Sequence, residues 1–298
     1  MPDSSKCFPL IRGRAMRVTR LDGCGALELG PTSQVVSKGF VTVTLTPVSD
    51  AGTTITLVNA NGEQCINDVP IPKFLNYTAE IAFCNVNPDL VNITTGNPIV
   101  YDDESPAQGV GFGVDSDVDQ SASGFALEVW SATPSAVCEP GAQQAFGYFL
   151  LPFLKGGTLG DVVIGNDAVT FTLTGAATKD GNQWGDGPYN VVRDSGGVAG
   201  PLNADIPNTR HMHLELTTVP PPTEVCGAVP LGVPATGATA GIPGSFTPAN
   251  SYGPLNLAGM TGVTASPATN WTAGQYVTLR DGSLANWNGT TWVAGAHA

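Results

Sequence analysis

Two short stretches carry residue types at spacings that can do chemistry. Asp115-x-Asp117-x-Asp119 sets three carboxylates on alternate positions, and His211-x-His213-x-Glu215 does the same with two imidazoles and a carboxylate. In an extended strand alternate side chains share a face. The first set offers the oxygen ligands that calcium takes, the second the nitrogen and oxygen ligands that zinc takes. A helical calcium loop starting at Asp115 needs Gly at its sixth position and Glu at its twelfth. The chain has Gln120 and Ala126 there. The histidine set has no third imidazole nearby, since His297 lies at the end of the chain. A looser metal site on either face therefore competes with a plainer reading, a solvated polar strand face, and the plainer one is preferred. No Gly-x-Ser-x-Gly elbow, Walker loop, His-Glu-x-x-His helix or Gly-x-Gly-x-x-Gly turn occurs, and no two carboxylates stand out as a glycosidase pair. No enzymatic activity, metal or cofactor is expected.

Three other residue sets invite a role. Arg12, Arg14, Arg17 and Arg20 form a basic N-terminal arm over residues 1–22 in a chain with only 12 Lys plus Arg against 25 Asp plus Glu. They are expected to meet carboxylates of a neighbouring subunit or ring, the plain alternative being a solvated arm. Trp271, Tyr276, Trp287 and Trp292 are either the core of a small domain or a sugar-stacking platform, and the core reading is preferred. The six cysteines, Cys7, Cys24, Cys65, Cys84, Cys138 and Cys226, include no Cys-x-x-Cys. Buried free thiols are the default expectation, with pairs such as Cys7 with Cys24 or Cys65 with Cys84 left open.

The elements that must position these groups are strands. Charged residues make up 12% of the chain, and 37 Gly and 24 Pro punctuate it, so long helices are disfavoured and short strands joined by turns are expected. Residues 40–45 and 53–58 alternate apolar residues with Thr and lead to Asn61-Gly62, a hairpin signal. Residues 109–119 alternate more strictly, which predicts one strand with Val110, Phe112, Val114 and Val118 buried and a Gly/Asp face opposite. Residues 125–130, 169–174 and 212–217 read as further strands. Only Asn87 to Gly96 reads as helix, with Asn at the cap, Pro88 and Asp89 in the first turn and Gly after the end. The fold class is all-β with one short flanking helix.

Composition divides the chain. Between Lys73 and Lys155 there is no Lys or Arg, only carboxylates, and from Val225 onward only Arg280 and Asp281 carry charge. A first domain is placed at residues 1–219, a Pro/Gly-rich connector at 220–244 and a small aromatic-cored β domain at 245–298, with strands at 275–280, 283–287 and 290–293. The net charge of −13 argues against gripping nucleic acid through its phosphates. The N-terminus has no apolar signal core and no stretch is long and apolar enough to span a bilayer, so no membrane insertion is expected.

Several segments resemble a known family. Cys7 to Cys24 (CFPLIRGRAMRVTRLDGC), Tyr77 to Leu90 (YTAEIAFCNVNPDL), Gly124 to Trp130 (GFALEVW) and Lys179 to Gly185 (KDGNQWG) are similar to the major tail proteins of long-tailed phages infecting actinobacteria, a likeness running over about residues 5–227. The stretch from about Gly241, with SPATNW at 266–271 and NWNGTTWVAG at 286–295, resembles a small domain appended to various phage structural proteins. The resemblance implies a tail-tube-type β-sandwich, assembling as hexameric rings that stack into the virion's tail tube in the host cytoplasm. Its partners would be further copies of itself, the tape measure, the tail terminator and the distal tail protein, with DNA passing through unbound. Four strands per subunit closed by six subunits would give ~24 strands and a backbone diameter on the order of 48 Å, wide enough for a duplex. On that basis Asp115, Asp117 and Asp119 are expected on the lumen wall and the C-terminal domain on the outside. A decoration protein of head or tail, or a glycan-binding surface module, would share much of this composition.

Overall fold

The computed structural model describes residues 9–28, 32–85, 87–104, 108–134, 144–163, 169–229, 231, 235–236, 245–248, 276–278 and 284–295. In chain order the strands are β1 (Ile11–Asp22), β2 (Gln34–Ser37), β3 (Phe40–Asp50), β4 (Ile55–Val58), β5 (Gln64–Asp68) and β6 (Lys73–Phe83). After helix α1 (Pro88–Thr95) come β7 (Ile99–Tyr101), β8 (Gly109–Phe112), β9 (Ser123–Ala132), β10 (Phe146–Lys155), β11 (Thr158–Val163) and β12 (Thr170–Thr178). β13 (Val192–Arg193), β14 (Ala199–Gly200) and β15 (His213–Thr217) complete the larger body. β16 (Ala235–Thr236), β17 (Ser245–Pro248), β18 (Tyr276–Thr278), β19 (Leu284–Trp287) and β20 (Trp292–Ala294) form a separate five-stranded sheet. Among the described residues the protein is all-β with one short helix, as its composition predicts.

The main sheet runs β2-β1-β9-β10-β12-β6-β3, with β15 also on β10 and β11 also on β12. One edge of β10 lies along β9, while its other edge changes partner, pairing with β15 over Phe146–Leu150 and with β12 at Leu154 and Lys155. The ladder to β9 shifts register between Leu151 and Leu154, around Pro152, which has no N–H to continue a ladder. The sheet turns a corner there, and a sandwich-like arrangement follows: β2-β1-β9-β10-β15 in one layer, β11-β12-β6-β3 in the other.

The first layer is covered on both faces, which is why β10 reads as a nearly continuous apolar run rather than an alternation. Met16, Val18, Leu127 and Leu151 form one cluster with Ile81, Leu173 and the helix residues Leu90 and Ile93. Ala15, Trp130, Tyr148 and Leu150 form a second cluster with Trp184, Val191, Val192, Leu202 and Ile206 from the segment between β12 and β15.

Helix α1 follows its sequence signals. The Asn87 side chain accepts from the backbone N–H groups of Asp89 and Leu90, and Gly96, at φ 78°, donates to the carbonyl of Asn92. Asn87→Ala is expected to cost about 1 kcal/mol of stability, the usual worth of such a cap, read as a lower urea midpoint with an unchanged slope.

The expected connector is shorter than residues 220–244. Val229 exchanges two backbone hydrogen bonds with Gln34, the Ala228 N–H donates to Asp89, the Lys38 N–H donates to Glu224, and Leu231 is buried. Pro and Gly mark irregular backbone there, and irregular backbone packs on the body whenever its N–H groups find partners.

Candidate functional site

The basic arm is not an arm. Residues 11–22 are strand β1, between β2 and β9 in the main sheet, and the four arginines part ways. Arg17 faces Glu128 directly across the β1–β9 ladder. Its guanidinium donates from Nε and Nη2 to the two Glu128 carboxylate oxygens at 2.5 and 2.6 Å, and both residues are buried. Tyr148 donates to Glu128 at 2.7 Å, the Tyr189 ring lies against the guanidinium with its centroid 3.2 Å away, and Trp130 lies at 5.2 Å. Burial opposes the Arg17 charge, but the Glu128 carboxylate outweighs it and holds the Arg17 pKa above its ordinary value. Burial also pushes the Tyr148 and Tyr189 hydroxyls up, with Glu128 adding to both. Arg17 is therefore an internal ion and cannot be the expected contact with a neighbour.

Arg20 is also engaged within the chain. It donates to the Asn92 side chain at 2.6 Å and more weakly to the Thr32 carbonyl, and burial lowers its pKa against the pull of Glu28 and Asp89. Arg12 and Arg14 are exposed, and neither has a salt bridge among the described residues. The expected cluster of four thus reduces to two free cations.

The carboxylate strand is also revised. Strand β8 ends at Phe112, and Asp115, Asp117 and Asp119 lie exposed in the irregular segment that follows. Val110 and Val114, expected in a core, are 62% and 67% exposed. The alternation was real, but the ladder runs out where Gly113 donates to the Pro98 carbonyl, since Pro98 has no N–H to donate in its turn, and the Asp115 N–H then bonds to the Asn97 side chain instead of a strand backbone. Asp119 accepts from both the backbone and the hydroxyl of Ser121, holding a local turn and lowering its pKa.

The histidines do not converge. His211 bonds to Thr178 at 2.7 Å and Asp180 at 2.9 Å, while His213 bonds to Glu215 at 3.1 Å. Among the described residues no group of three or more His, Cys, Asp or Glu is placed to hold a metal ion.

The small sheet uses its tryptophans internally. Trp287 and Trp292 are each 3% exposed and their rings lie 5.5 Å apart, so neither offers a face to a glycan. Trp271 and the Tyr276 side chain lie outside the described residues. Cys24, Cys65, Cys84 and Cys226 are free and exposed rather than buried, because they sit in turns or on outlying strands instead of the sheet interior; Cys7 and Cys138 lie outside the described residues.

The feature missed in the sequence is an apolar arm. Strands β3 and β6 pair from Phe40–Phe83 out to Asp50–Lys73, and beyond them β4 and β5 form a second two-stranded ribbon. Its turn is held by the Asn59 side chain, which accepts from the N–H groups of Asn61 and Glu63, with Gly62 at φ 82°. Residues 51–75 are almost wholly exposed, yet they include Ile55, Leu57, Val58, Ile66, Val69, Ile71, Phe74 and Leu75. Ile71 is 92% exposed. The strand and turn signals were legible; what no periodicity reveals is that, among the described residues, the ribbon has no layer to cover it.

The sequence matches no protein-family model and no curated protein. Among the described residues the arrangement offers contact surface: an uncovered apolar ribbon, an open β3 edge and the two free arginines of β1.

Proposed function

We infer that the protein is a self-assembling structural subunit of a virion, the tail tube protein of a long-tailed phage, polymerising as stacked hexameric rings. The observation that supports this best is the uncovered ribbon over residues 51–75. Contiguous apolar surface on this scale is retained where another molecule covers it, and β3, the eleven-residue edge strand from which the ribbon continues, offers unpaired backbone groups alongside. Such an edge is an aggregation liability for a solitary β protein and an asset for one that closes on its own copies. A net charge of −13 suits a conduit through which DNA moves without sticking, because few cations are available to release its counterions. Tape measure, tail terminator and distal tail protein are the other partners this role requires.

Sedimentation velocity of the purified chain tests the proposal. Particles many times larger than the 30.6 kDa chain are expected, and a protein that stays monomeric at ~1 mM would overturn it. The C-terminal sheet is expected to project outward and to be dispensable. A chain ending after Leu231 should assemble normally. One ending after Val219 should instead lose about 2 kcal/mol of stability, because it sheds the two backbone hydrogen bonds to Gln34.

A further inference from the structure

The hairpin of β7 and β8 and the segment just after it carry a second set of exposed apolar side chains. Val100, Tyr101, Val110 and Val114 are 49, 57, 62 and 67% exposed. Carboxylates stand at both ends of the hairpin. Asp102, Asp103 and Glu104 follow β7 at the hairpin loop, Asp115 and Asp117 follow β8 at its base, and no Lys or Arg pairs with any of them among the described residues. An occupant must supply apolar contact together with positive charge.

The chain itself presents one segment of that kind. Ile11 is 42% exposed, and Arg12 and Arg14 flank Gly13. The ladder between β1 and β9 is irregular on both sides of Gly13. A Cβ on Gly13 would lie 2.6 Å from the Phe40 ring, so any side chain there would have to displace that ring. Arg12 has φ 47°, the one positive value among the described residues other than glycine. Such a conformation is costly for an arginine and persists where its surroundings over-determine it. The outcome is an Ile-Arg-Gly-Arg ridge with both guanidiniums in solvent.

We propose that the Ile11–Arg14 ridge of one copy docks on the β7–β8 hairpin of the next, its arginines meeting the carboxylates around that hairpin. The contact is head to tail, since ridge and receptor are different surfaces of one chain, and repeated head-to-tail contacts generate rings or filaments. It places these carboxylates between copies rather than on a channel wall. The proposal rests on the self-assembling role inferred above and names a surface that role uses.

Charge reversal tests it. One variant carries Arg12→Glu and Arg14→Glu; the other carries Asp103→Lys, Glu104→Lys and Asp117→Lys. Asp102 is left intact because it holds the loop by accepting from the N–H groups of Glu104 and Gln108. Every substituted side chain is exposed, and circular dichroism should show both variants folded. Alone, each sets like charges against each other and should raise the critical concentration for assembly on the order of a hundredfold. Mixed in equal amounts they should co-assemble, because every contact in an alternating array is again of opposite sign. Either variant assembling alone like the natural chain would overturn the proposal, and this is the result expected if the C-terminal module covers the hairpin instead. A mixture that stays dispersed would overturn it too. A natural chain that never assembles would remove the self-assembling role itself, which separates the two failures.

Discussion

Glu128→Gln is expected to destabilise the fold by about 3–5 kcal/mol, because it strands the buried Arg17 guanidinium without its counter-charge. Glu128 is 0% exposed and accepts from Arg17 and Tyr148 together. A replacement that removes all three polar groups, Arg17→Met with Glu128→Leu and Tyr148→Phe, should recover most of the loss, since a buried pair exchanged for apolar residues of similar volume is close to neutral. Urea unfolding reads both outcomes, and a Glu128→Gln protein within about 1 kcal/mol of the natural chain would show that the pair is not desolvated. The two tyrosines add a pH dependence. Burial first, then Glu128, holds both hydroxyls above their ordinary value, so the folded chain keeps protons that the unfolded chain releases from about pH 10. Their contribution is fully present below that pH and falls as pH rises toward the folded values. A Tyr148→Phe, Tyr189→Phe chain should lose less stability over that alkaline range.

Serine at Ile55, Leu57, Ile66 and Ile71 is expected to abolish assembly while leaving the monomer intact. These side chains are 45–92% exposed in the single chain, so they contribute little to its folding. Covered by a neighbour, each would contribute about 1 kcal/mol at ~25 cal/mol per Å² of apolar surface. Four together amount to about 4 kcal/mol, roughly a thousandfold in the critical concentration. Sedimentation velocity should show a folded monomer at concentrations where the natural chain is assembled. Assembly at an unchanged concentration would mean that the ribbon stays in solvent.

What the sequence made legible was whatever short-range rules decide. Asn87, Pro88 and Gly96 bound the helix because cap geometry is local, and Trp287 and Trp292 close the small sheet because few other side chains there could. Partner choice across the fold was not legible. Arg17 and Arg20 differ from Arg12 and Arg14 only in how far β1 has entered the sheet, which depends on β9, more than a hundred residues away in the chain. Residues 109–119 carried a strand-like alternation that Asn97 and Pro98 interrupt from outside the segment. The ribbon over residues 51–75 reads like any half-buried hairpin, since alternation shows which residues are apolar and not whether a second layer exists to cover them.

Electron cryo-microscopy of the purified chain tests the assembly most directly. The expected result is a tube of stacked rings with a central channel wider than a DNA duplex, the β4–β5 ribbon of each copy seated against a neighbour and Ile71 covered. Isolated monomers at high concentration, or an assembly in which residues 51–75 stand free in solvent, would contradict it.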